Sequence, residues 1–436
     1  MRLPPGSSGL PLLGETLAFV GDIFTFISKR TALHGHVFRS HILGTPTVFI
    51  SGPQVAEKWL DEKLIQREGA FPPPVQKLFG GPGILPLMDG PAHAARKQIV
   101  LAGFSRAALA AYLPALQGLI EALFAKWAGR GPSRVLDDLK LLAIRGICTN
   151  VLGAGEAEIS RLVADYSFVF RAFTALPIPL PGTAFTKGLQ ARDRILALYE
   201  RLVAAHQQAP GDDGLSRILA AAAPDGTRMT PRQAALELHH IVLAGYIVFA
   251  ELAATLVQLA QNPAVREQVS AEVRAQSPRG PITPAQLRQM PFLMQVVNEL
   301  KRATPNVPVS FGRARIGFEL NGYDIPAGWN VMMAVVEHNF DDIFTAPRKF
   351  DPDRFSPARA EEKRHPHAFA PQGAGSMEGH KCAGYDYSTV FMQVFAVALL
   401  RDFTWELPPQ DLSLKYSLVP PEPRGGLLVQ LRRSGA

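Results

Sequence analysis

The segment that decides the fold reads Phe369-Ala-Pro-Gln-Gly-Ala-Gly-Ser-Met-Glu-Gly-His-Lys-Cys-Ala-Gly384 and contains Cys382, one of two cysteines in the chain. Residues 387–403 follow it as an apolar stretch that is typical of a buried helix. A thiol that precedes a helix lies at the positive end of the helix dipole, and Lys381 and His380 add positive charge. These effects favour the thiolate, which is the form that binds metal. A core cysteine in a glycine turn explains the segment equally well when it is taken alone.

Two further motifs precede this segment along the chain. Glu299-Leu-Lys-Arg302 places a carboxylate and a guanidinium at i and i+3, on one face of a helix. Pro305, a β-like stretch at 318–331 and the motif Phe350-Asp-Pro-Asp-Arg-Phe355 come after it. The three motifs in this order resemble those of the cytochromes P450. The resemblance extends over residues 3–431, which is nearly the whole chain.

Within that family the chain most resembles the retinoic-acid hydroxylases and their cyanobacterial relatives. The likeness is carried by Leu3-Pro-Pro-Gly6, Gly44-Thr-Pro-Thr-Val48, Ala102-Gly-Phe-Ser-Arg106 and residues 318–331. The cysteine segment differs, because it is longer than usual and Gln372 stands where most members place a phenylalanine. In both respects it is similar to the fatty-acid peroxygenases.

The resemblance implies a mainly α fold with a small β region. This is the cytochrome P450 fold, a triangular helical prism with a long central helix over a haem. We expect a single domain over residues 1–436, with its β-rich part at about 36–51 and 305–335 and helices in the remainder. Apolar and polar residues alternate over 36–51, and a turn is expected at 43–46, so this segment is predicted to form a hairpin. Residues 234–260 are predicted to form the long helix, ended by Asn262-Pro263.

The same resemblance implies a haem-thiolate centre that contains haem b, iron protoporphyrin IX. Cys382 would be the axial ligand of the haem iron. Gln372, Gly375 and Gly384 of the same segment are expected to contact the haem as well. A structural network behind the segment is expected from Glu299, Arg302 and Arg354.

Haem propionates need cations, and a basic helix start offers two. His93 and Lys97 are separated by four residues, so they share a helix face and can both reach a propionate. A solvated basic helix start is the alternative. In the family a third cation follows the Glu-x-x-Arg motif, but Gly312 stands at that position here. We therefore expect Arg313 to take over through a bulge, unless the contact is lost.

The long helix departs from the family pattern at its centre. Members usually carry Ala/Gly-Gly-x-Asp/Glu-Thr, in which an acid and a hydroxyl relay protons into the site. The chain has Ala244-Gly-Tyr-Ile-Val248, so Ile247 replaces the acid and Val248 the alcohol, and neither carries a proton. The small pair Ala244 and Gly245 still leaves room above a haem. Glu251, one turn further on, is a candidate for a displaced acid, although such a glutamate more often pairs with a neighbouring helix.

Several activities remain open. The chain could be a monooxygenase that takes protons from water or from its substrate, or a peroxygenase that uses hydrogen peroxide. It could also catalyse a rearrangement or dehydration without an external oxidant, or be a haem-binding sensor without turnover. The fatty-acid peroxygenases also lack the acid–alcohol pair. Their long helix, however, has an Arg-Pro that binds the substrate carboxylate, whereas the chain has Gly245-Tyr246.

The substrate pocket is expected to be apolar. Segments that border substrate in relatives contain Phe71, Phe79, Leu85, Phe173, Ile178, Val307, Val309 and Leu418. Ordinary core packing is the alternative for each of them. With the retinoid-hydroxylase likeness, they predict a lipophilic substrate, such as a terpenoid, a lipid or a polyketide chain, in a biosynthetic pathway.

Composition narrows the class of protein. Hydrophobic residues make up 47% of the chain, which is enough for a large core, and the two cysteines give no disulfide framework. We expect no bilayer-spanning run, no membrane anchor and no signal peptide, and therefore a soluble cytoplasmic protein.

The net charge is +7, and basic residues concentrate at 348–367. By resemblance this region is where electron donors dock, so ferredoxin and ferredoxin reductase are the expected partners unless peroxide replaces them. A solvated basic loop is the alternative. No base-stacking motif accompanies the charge, which argues against nucleic-acid binding.

Overall fold

The structure is a computed structural model that describes residues 2–11, 13–42 and 44–434. Its helices are α1 Thr16–Gly21, α2 Ile23–His34, α3 Ala56–Leu60, α4 Pro73–Leu78, α5 Gly90–Ala102, α6 Arg106–Ala128, α7 Leu136–Asn150, α8 Glu156–Phe173, α9 Ala184–Gln208, α10 Gly214–Ala220, α11 Pro231–Tyr246, α12 Val248–Gln261, α13 Pro263–Gln276, α14 Pro284–Arg288, α15 Pro291–Ala303, α16 Val335–Asn339 and α17 Tyr385–Asp402. Short 3₁₀ turns lie at Pro53–Val55, Leu85–Leu87, Pro352–Phe355 and Glu361–Lys363.

The strands are β1 Val37–Ile42, β2 Thr45–Ile50, β3 Ile65–Gln66, β4 Ser133–Arg134, β5 Val309–Ala314, β6 Phe318–Leu320, β7 Tyr323–Ile325, β8 Asn330–Ala334, β9 Phe403–Glu406, β10 Leu414–Lys415, β11 Glu422–Pro423 and β12 Leu428–Arg433. Helices contain 53% of the residues and strands 12%, which confirms the mainly α fold with a small β region.

The principal sheet has the order β1-β2-β8-β5-β3. β1 and β2 form the predicted antiparallel hairpin, with Val37 opposite Ile50; Leu43 of its predicted turn lies outside the described residues. β2 pairs with β8 in parallel, and β8 pairs with β5 in antiparallel register, with Gly312 opposite Val331. The sheet therefore joins the N-terminal hairpin to the chain that follows α15.

The helical core is centred on α17. Phe391, Phe395 and Leu399 of this helix are fully buried, and they pack with residues of α6, α7, α12 and α15 in one apolar cluster. A helix that is apolar on all sides is stable only when neighbours cover it on all sides. The apolar stretch behind Cys382 therefore becomes the central support of the cysteine segment.

The long helix predicted at 234–260 is interrupted, which corrects the expectation of a continuous helix. α11 ends at Tyr246, Ile247 is a turn residue, and α12 begins at Val248. Ala250 N–H donates to the carbonyl of Ile247 at 3.1 Å, an i→i+3 bond that tightens the backbone at this point. The interruption falls on the residue that replaces the usual acid.

Two helices are long and apolar enough to cross a membrane, which corrects the expectation that no such segment exists. They are Arg106–Ala128 and the segment Pro231–Gln261, which runs across the interruption; 67% of the apolar window of the second is buried. Core helices of ordinary proteins share this composition, so the two segments are weak evidence for a membrane span.

Candidate active site

The cysteine segment presents Cys382 in front of a buried helix. The N–H of Cys382 donates to the carbonyl of Gln372 at 2.9 Å, and its own carbonyl accepts from the N–H of Tyr385, the first residue of α17, at 3.2 Å. Gly373 and Gly375 have φ of 96° and 88°, values that L side chains rarely adopt. These two glycines let the segment turn back on itself. The Cys382 side chain is half-buried beside the positive end of α17.

A buried lysine supports this segment from behind. Lys301 of α15 is 1% exposed, and its Nζ donates to Oε1 of Gln372 at 2.7 Å and to Oγ of Ser388 at 2.5 Å. Burial lowers the pKa of Lys301, while Glu251 and Cys382 oppose that change. Gln372 therefore supplies an acceptor that a phenylalanine would not. The sequence signal was a lysine inside the Glu-x-x-Arg motif, and its pairing with Gln372 was missed.

The structure brings Glu299, Arg302 and Arg354 together as expected, and all three are fully buried. Arg302 donates Nε and Nη2 to the two carboxylate oxygens of Glu299 at 2.7 and 2.8 Å. Arg354 donates Nε to the same carboxylate at 3.0 Å and Nη1 to Glu361 at 2.9 Å. The network joins α15 to the 3₁₀ turns that lead into the cysteine segment. Removing one member would leave a buried charge unpaired, which typically costs about 3–5 kcal/mol.

His93 and Lys97 lie on one buried face of α5, beside the cysteine segment. The ring of His93 stacks on that of His380 with centroids 4.1 Å apart, and Lys97 donates Nζ to the carbonyl of Lys381. Burial, with added repulsion from His380 and Lys97, lowers the pKa of His93 to about 4. His380 in turn contacts Oε1 of Glu62 at 2.8 Å. The site thus collects several nitrogen donors at one edge, and His380 belongs to it although only its charge was noted in the sequence.

The central part of α11 and α12 is apolar. A Cβ added to Gly245 would lie 3.1 Å from Ile147, so this glycine allows close packing against α7. Val248 is 3% exposed and Ile247 is half-buried. Glu251 is 2% exposed, and its Oε2 has no hydrogen-bond partner among the described residues. Burial raises the pKa of Glu251, and the charge of Lys301 opposes that change. Lys301 is the same side chain that donates to Gln372 of the cysteine segment.

A family model of cytochrome P450 matches residues 4–428. The chain belongs to the cytochrome P450 family. Among its relatives, cytochrome P450 26A1 of Gallus gallus is 31% identical over 430 residues, which cover 93% of this chain and 86% of the relative. Abscisic acid 8'-hydroxylase 2 of Oryza sativa subsp. indica is 29% identical over 453 residues, covering 100% of this chain and 87% of the relative. The solved structure of retinoic acid bound cyanobacterial CYP120A1 superposes with a TM-score of 0.92 and 29% identity, covering 99% of each chain.

Membership makes this P450 a haem-containing oxidoreductase and confirms the predicted branch, cofactor and enzyme class. The side chains of the site fit a haem. Cys382 offers a thiolate ligand, and Ala244 keeps accessible surface although the helix around it is buried. The nitrogen donors near His93 suit two propionates. Gly384 leaves Sγ of Cys382 unobstructed, since even an added Cβ would stay 3.9 Å away.

The third cation does not come from the position expected. Arg313 is exposed and donates Nε to the carbonyl of Gly328, so the described contacts do not bring it to His93. A Cβ at Gly312 would lie 2.6 Å from Ile65 and 2.8 Å from Trp59, so no larger side chain fits there. The expectation for Arg313 therefore does not agree with this structure, because the strand turns its side chain to the other face.

Arg67, which follows β3, offers a cation near the same edge. Its guanidinium lies over the Trp59 ring at 4.0 Å, and Nη2 donates to the carbonyl of Trp59 at 2.8 Å. Arg67 is 5% exposed, and Nη1 has no partner among the described residues. Burial lowers the pKa of Arg67 to about 10. Burial also lowers the pKa of His380, and the charge of Arg67 adds to that change. No local sequence pattern distinguishes Arg67 from the other arginines of the chain, so the sequence did not reveal it.

Glu62, His93 and His380 also have the composition of a metal site, with ligand atoms within 4.8 Å of one another. The adjacent charges argue against that role. Arg67 and Lys97 are both buried nearby, and two cations disfavour a divalent metal ion while they favour an anionic group.

The predicted pocket residues divide into two sets. Phe79 contacts Phe71 and Phe173 with ring centroids 5.8 and 5.6 Å apart, and Phe71 contacts Phe311 at 5.3 Å. These four half-buried rings, Phe71, Phe79, Phe173 and Phe311, form a cluster that we name the aromatic wall.

The other predicted pocket residues are not part of that wall. Leu85 and Val309 are buried, and Leu418 is half-buried. Ile178 is 43% and Val307 38% exposed, so these two side chains do not enclose a pocket in this structure. Ile178 lies in a proline-rich segment without helix or strand, which leaves it at the surface.

Proposed function

We propose that this P450 is a haem-thiolate monooxygenase that hydroxylates an apolar small molecule in a biosynthetic pathway. The geometry of Cys382 carries the proposal, because its side chain faces the start of a buried helix and has Lys301 and Lys97 nearby. A haem bound there supplies oxygen activation, which a thiolate ligand promotes. The protein positions the substrate and excludes water.

Five side chains would hold the haem. Cys382 would bind the iron, Lys97 and Arg67 would neutralise the propionates, and His93 and His380 would donate hydrogen bonds to them. The burial of Lys97 and Arg67 supports this role, since buried cations are stable where an anion compensates them. Gln372 and Lys301 would keep the cysteine segment in place.

The relatives support an apolar substrate that carries a carboxyl group. The two named ligands, abscisic acid and retinoic acid, are both carboxylic acids with largely apolar bodies. The aromatic wall is suited to a body of this kind, since aromatic rings bury large apolar areas. We therefore place the substrate among lipophilic acids of terpenoid or lipid type.

The proton supply is the unusual part of the proposal. Ile247 and Val248 cannot donate protons, and Glu251 is buried, with its charge opposed by that of Lys301. Protons would therefore reach the site through water or through a polar group of the substrate. The absence of the acid–alcohol pair also favours a second candidate function, the use of hydrogen peroxide. Peroxide already contains the protons that a relay would deliver.

A parallel assay separates the two functions. Retinoic acid, abscisic acid, myristic acid and neutral terpenoids would be incubated with the enzyme, either with ferredoxin, ferredoxin reductase and NADPH or with hydrogen peroxide alone. We expect hydroxylated products with the electron-transfer chain, and we expect them to persist when catalase is added. Products with peroxide alone, at a comparable or higher rate, would establish the peroxygenase instead.

A further inference from the structure

His240 is a polar side chain on the accessible stripe of α11. It lies one turn before Ala244, so the two residues share a helix face. Both have accessible surface, whereas Ile241, Val242 and Leu243 between them are buried. His240 therefore brings a hydrogen-bonding group to the same accessible stripe of α11 that contains Ala244.

A buried carboxylate orients the His240 ring. Glu237 is 1% exposed, and its Oε2 lies 3.2 Å from Nδ1 of His240. The other carboxylate oxygen accepts from Nη1 of Arg96 at 2.9 Å and from the backbone N–H of Leu85 at 2.8 Å. Contacts to two other parts of the chain thus fix Glu237. Because Nδ1 faces this carboxylate, Nε2 is the ring nitrogen left for a ligand.

The His240 ring also lies near the aromatic wall. The centroids of Phe79 and His240 are 6.3 Å apart, and the two ring planes are inclined by 60°. Arg96 pairs with Glu237, so this carboxylate is compensated and leaves no net negative charge that would repel an anionic ligand. An apolar wall that ends at a hydrogen-bonding ring matches a molecule with an apolar body and one polar end, such as a carboxylate.

We propose that His240 binds the carboxylate of the substrate and so sets the specificity of this P450 for lipophilic acids. The inference rests on the proposed function and names the group that recognises its substrate class. Nε2 donates to a carboxylate oxygen, while Glu237 holds Nδ1 on the opposite side of the ring. The apolar body then lies along the aromatic wall towards Ala244. His240 thus takes the place of the arginine that the chain lacks at Gly245.

The test compares an acid with its methyl ester, which has the same body without the charge. Dissociation constants of retinoic acid and methyl retinoate would be measured with the haem-loaded enzyme from ligand-induced changes in the haem absorption. Myristic acid and methyl myristate form a second pair. We expect the wild-type enzyme to bind the acid at least about tenfold more tightly than the ester, since a charge-assisted contact contributes on that scale.

Two variants and one control show whether His240 causes the preference for the acid over the ester. His240→Leu should reduce it to within about twofold while ester affinity stays unchanged, because only the polar contact is lost. His240→Gln keeps one donor and should retain part of the preference. His41→Leu removes a half-exposed histidine on β1 and should behave as the wild type.

Three results would overturn the inference. These are equal wild-type affinity for acid and ester, a preference that survives His240→Leu, and a loss of affinity for acid and ester alike in that variant. Each leaves the proposed hydroxylation standing, since oxidation of the esters measures that function separately. Conversely, acid-selective binding without any oxidised product would retain His240 as the binding group and reject the hydroxylase.

Discussion

At the residue scale, the two cysteines have opposite environments and permit a direct test of the ligand. Cys382→Ala removes the proposed thiolate and should abolish the thiolate-type absorption of the reduced CO complex. Cys148 is fully buried on α7, and burial raises the pKa of its thiol to about 12. Cys148→Ala is thus a matched control that should retain the absorption. A thiolate-type spectrum in Cys382→Ala would show that another residue binds the iron.

Lys301 and Gln372 should behave as one unit in stability measurements. Gln372→Phe removes an acceptor from a buried ammonium, and Lys301→Met leaves the Gln372 amide without its donor. Each single change should lower the free energy of unfolding by about 1–3 kcal/mol. The double variant replaces both partners by apolar groups, so its loss should be smaller than the sum by about 0.5–3 kcal/mol.

Chemical denaturation monitored by far-UV circular dichroism measures these losses for all four proteins. The double-mutant cycle isolates the pairwise contribution, because the two side chains contact each other directly. Additive losses would mean that the contact contributes nothing to stability, and that Gln372 stands at its position for another reason.

Side chains that are close in sequence could be placed from the sequence, whereas those that meet through tertiary packing could not. Glu299 and Arg302 are three residues apart on one helix, so local spacing was enough to place their side chains together. Lys301 and Gln372 are 71 positions apart and meet only after α15 packs against the cysteine segment. Arg67 comes close enough to His380 to affect its charge because β3 pairs with β5, and a strand of two residues has no detectable periodicity.

At the element scale, the interruption between α11 and α12 was also beyond prediction. Apolar periodicity continues through Ile247, so the sequence pattern resembles one continuous helix, and the departure appears only in the backbone hydrogen bonds. The interruption coincides with the missing relay. The change in backbone hydrogen bonding and the loss of the acidic side chain therefore occur at the same residue, Ile247.

Restoring the relay tests whether protons limit the electron-driven reaction. Ile247→Glu with Val248→Thr returns an acid and a hydroxyl to the helix and should raise turnover with the electron-transfer chain by about tenfold or more. The control, Ile247→Gln with Val248→Thr, has the same shape without the acid and should stay near the wild-type rate. Turnover, measured as product formed per haem per minute, detects the change. An unchanged rate would indicate that the native chemistry bypasses this route.

A buried histidine should make the contacts of α11 sensitive to acid. His239 is fully buried, with Nε2 at 2.9 Å from the Leu78 carbonyl and Nδ1 at 3.1 Å from the Tyr166 hydroxyl. Burial lowers the pKa of His239 to about 4; the hydrogen bond to the Leu78 carbonyl opposes this change, and Arg192 and His240 add to it. The unfolded chain therefore binds a proton that the folded protein does not bind between about pH 6.5 and 4. Stability should fall as the pH decreases through this window.

The loss attributable to His239 should approach about 3 kcal/mol near pH 4. His239→Gln removes the titrating ring, so the difference in unfolding free energy between wild type and variant should narrow as the pH falls from 7 to 4. Other titrating groups are common to both proteins and cancel in that difference. A difference that is independent of pH would show that the ring titrates alike in the folded and unfolded protein.

At the scale of the whole molecule, the basic segment at 348–367 is less available to a partner than its composition indicates. Arg354 is fully buried against Glu299, and Arg359 pairs with Asp351 at 2.7 Å and with Glu361 at 2.8 Å. These charges stabilise the chain that leads into the cysteine segment. Fewer unpaired positive charges are therefore available than the number of basic residues in this segment indicates. Docking of an electron donor depends on the remaining exposed lysines.

Lys349 and Lys363 are exposed and form no ion pair among the described residues, so they can steer an acidic electron donor. Lys349→Glu with Lys363→Glu should lower the second-order rate of reduction by an acidic ferredoxin by about tenfold at low salt. The difference should disappear near about 0.5 M salt, because screening shortens the range of the field. Arg161→Glu with Lys187→Glu, on exposed faces of α8 and α9, changes the net charge equally and serves as the control. Stopped-flow measurement of haem reduction gives these rates. An equal loss in both double variants would mean that only the net charge of the molecule matters, and that ferredoxin has no docking site at this segment.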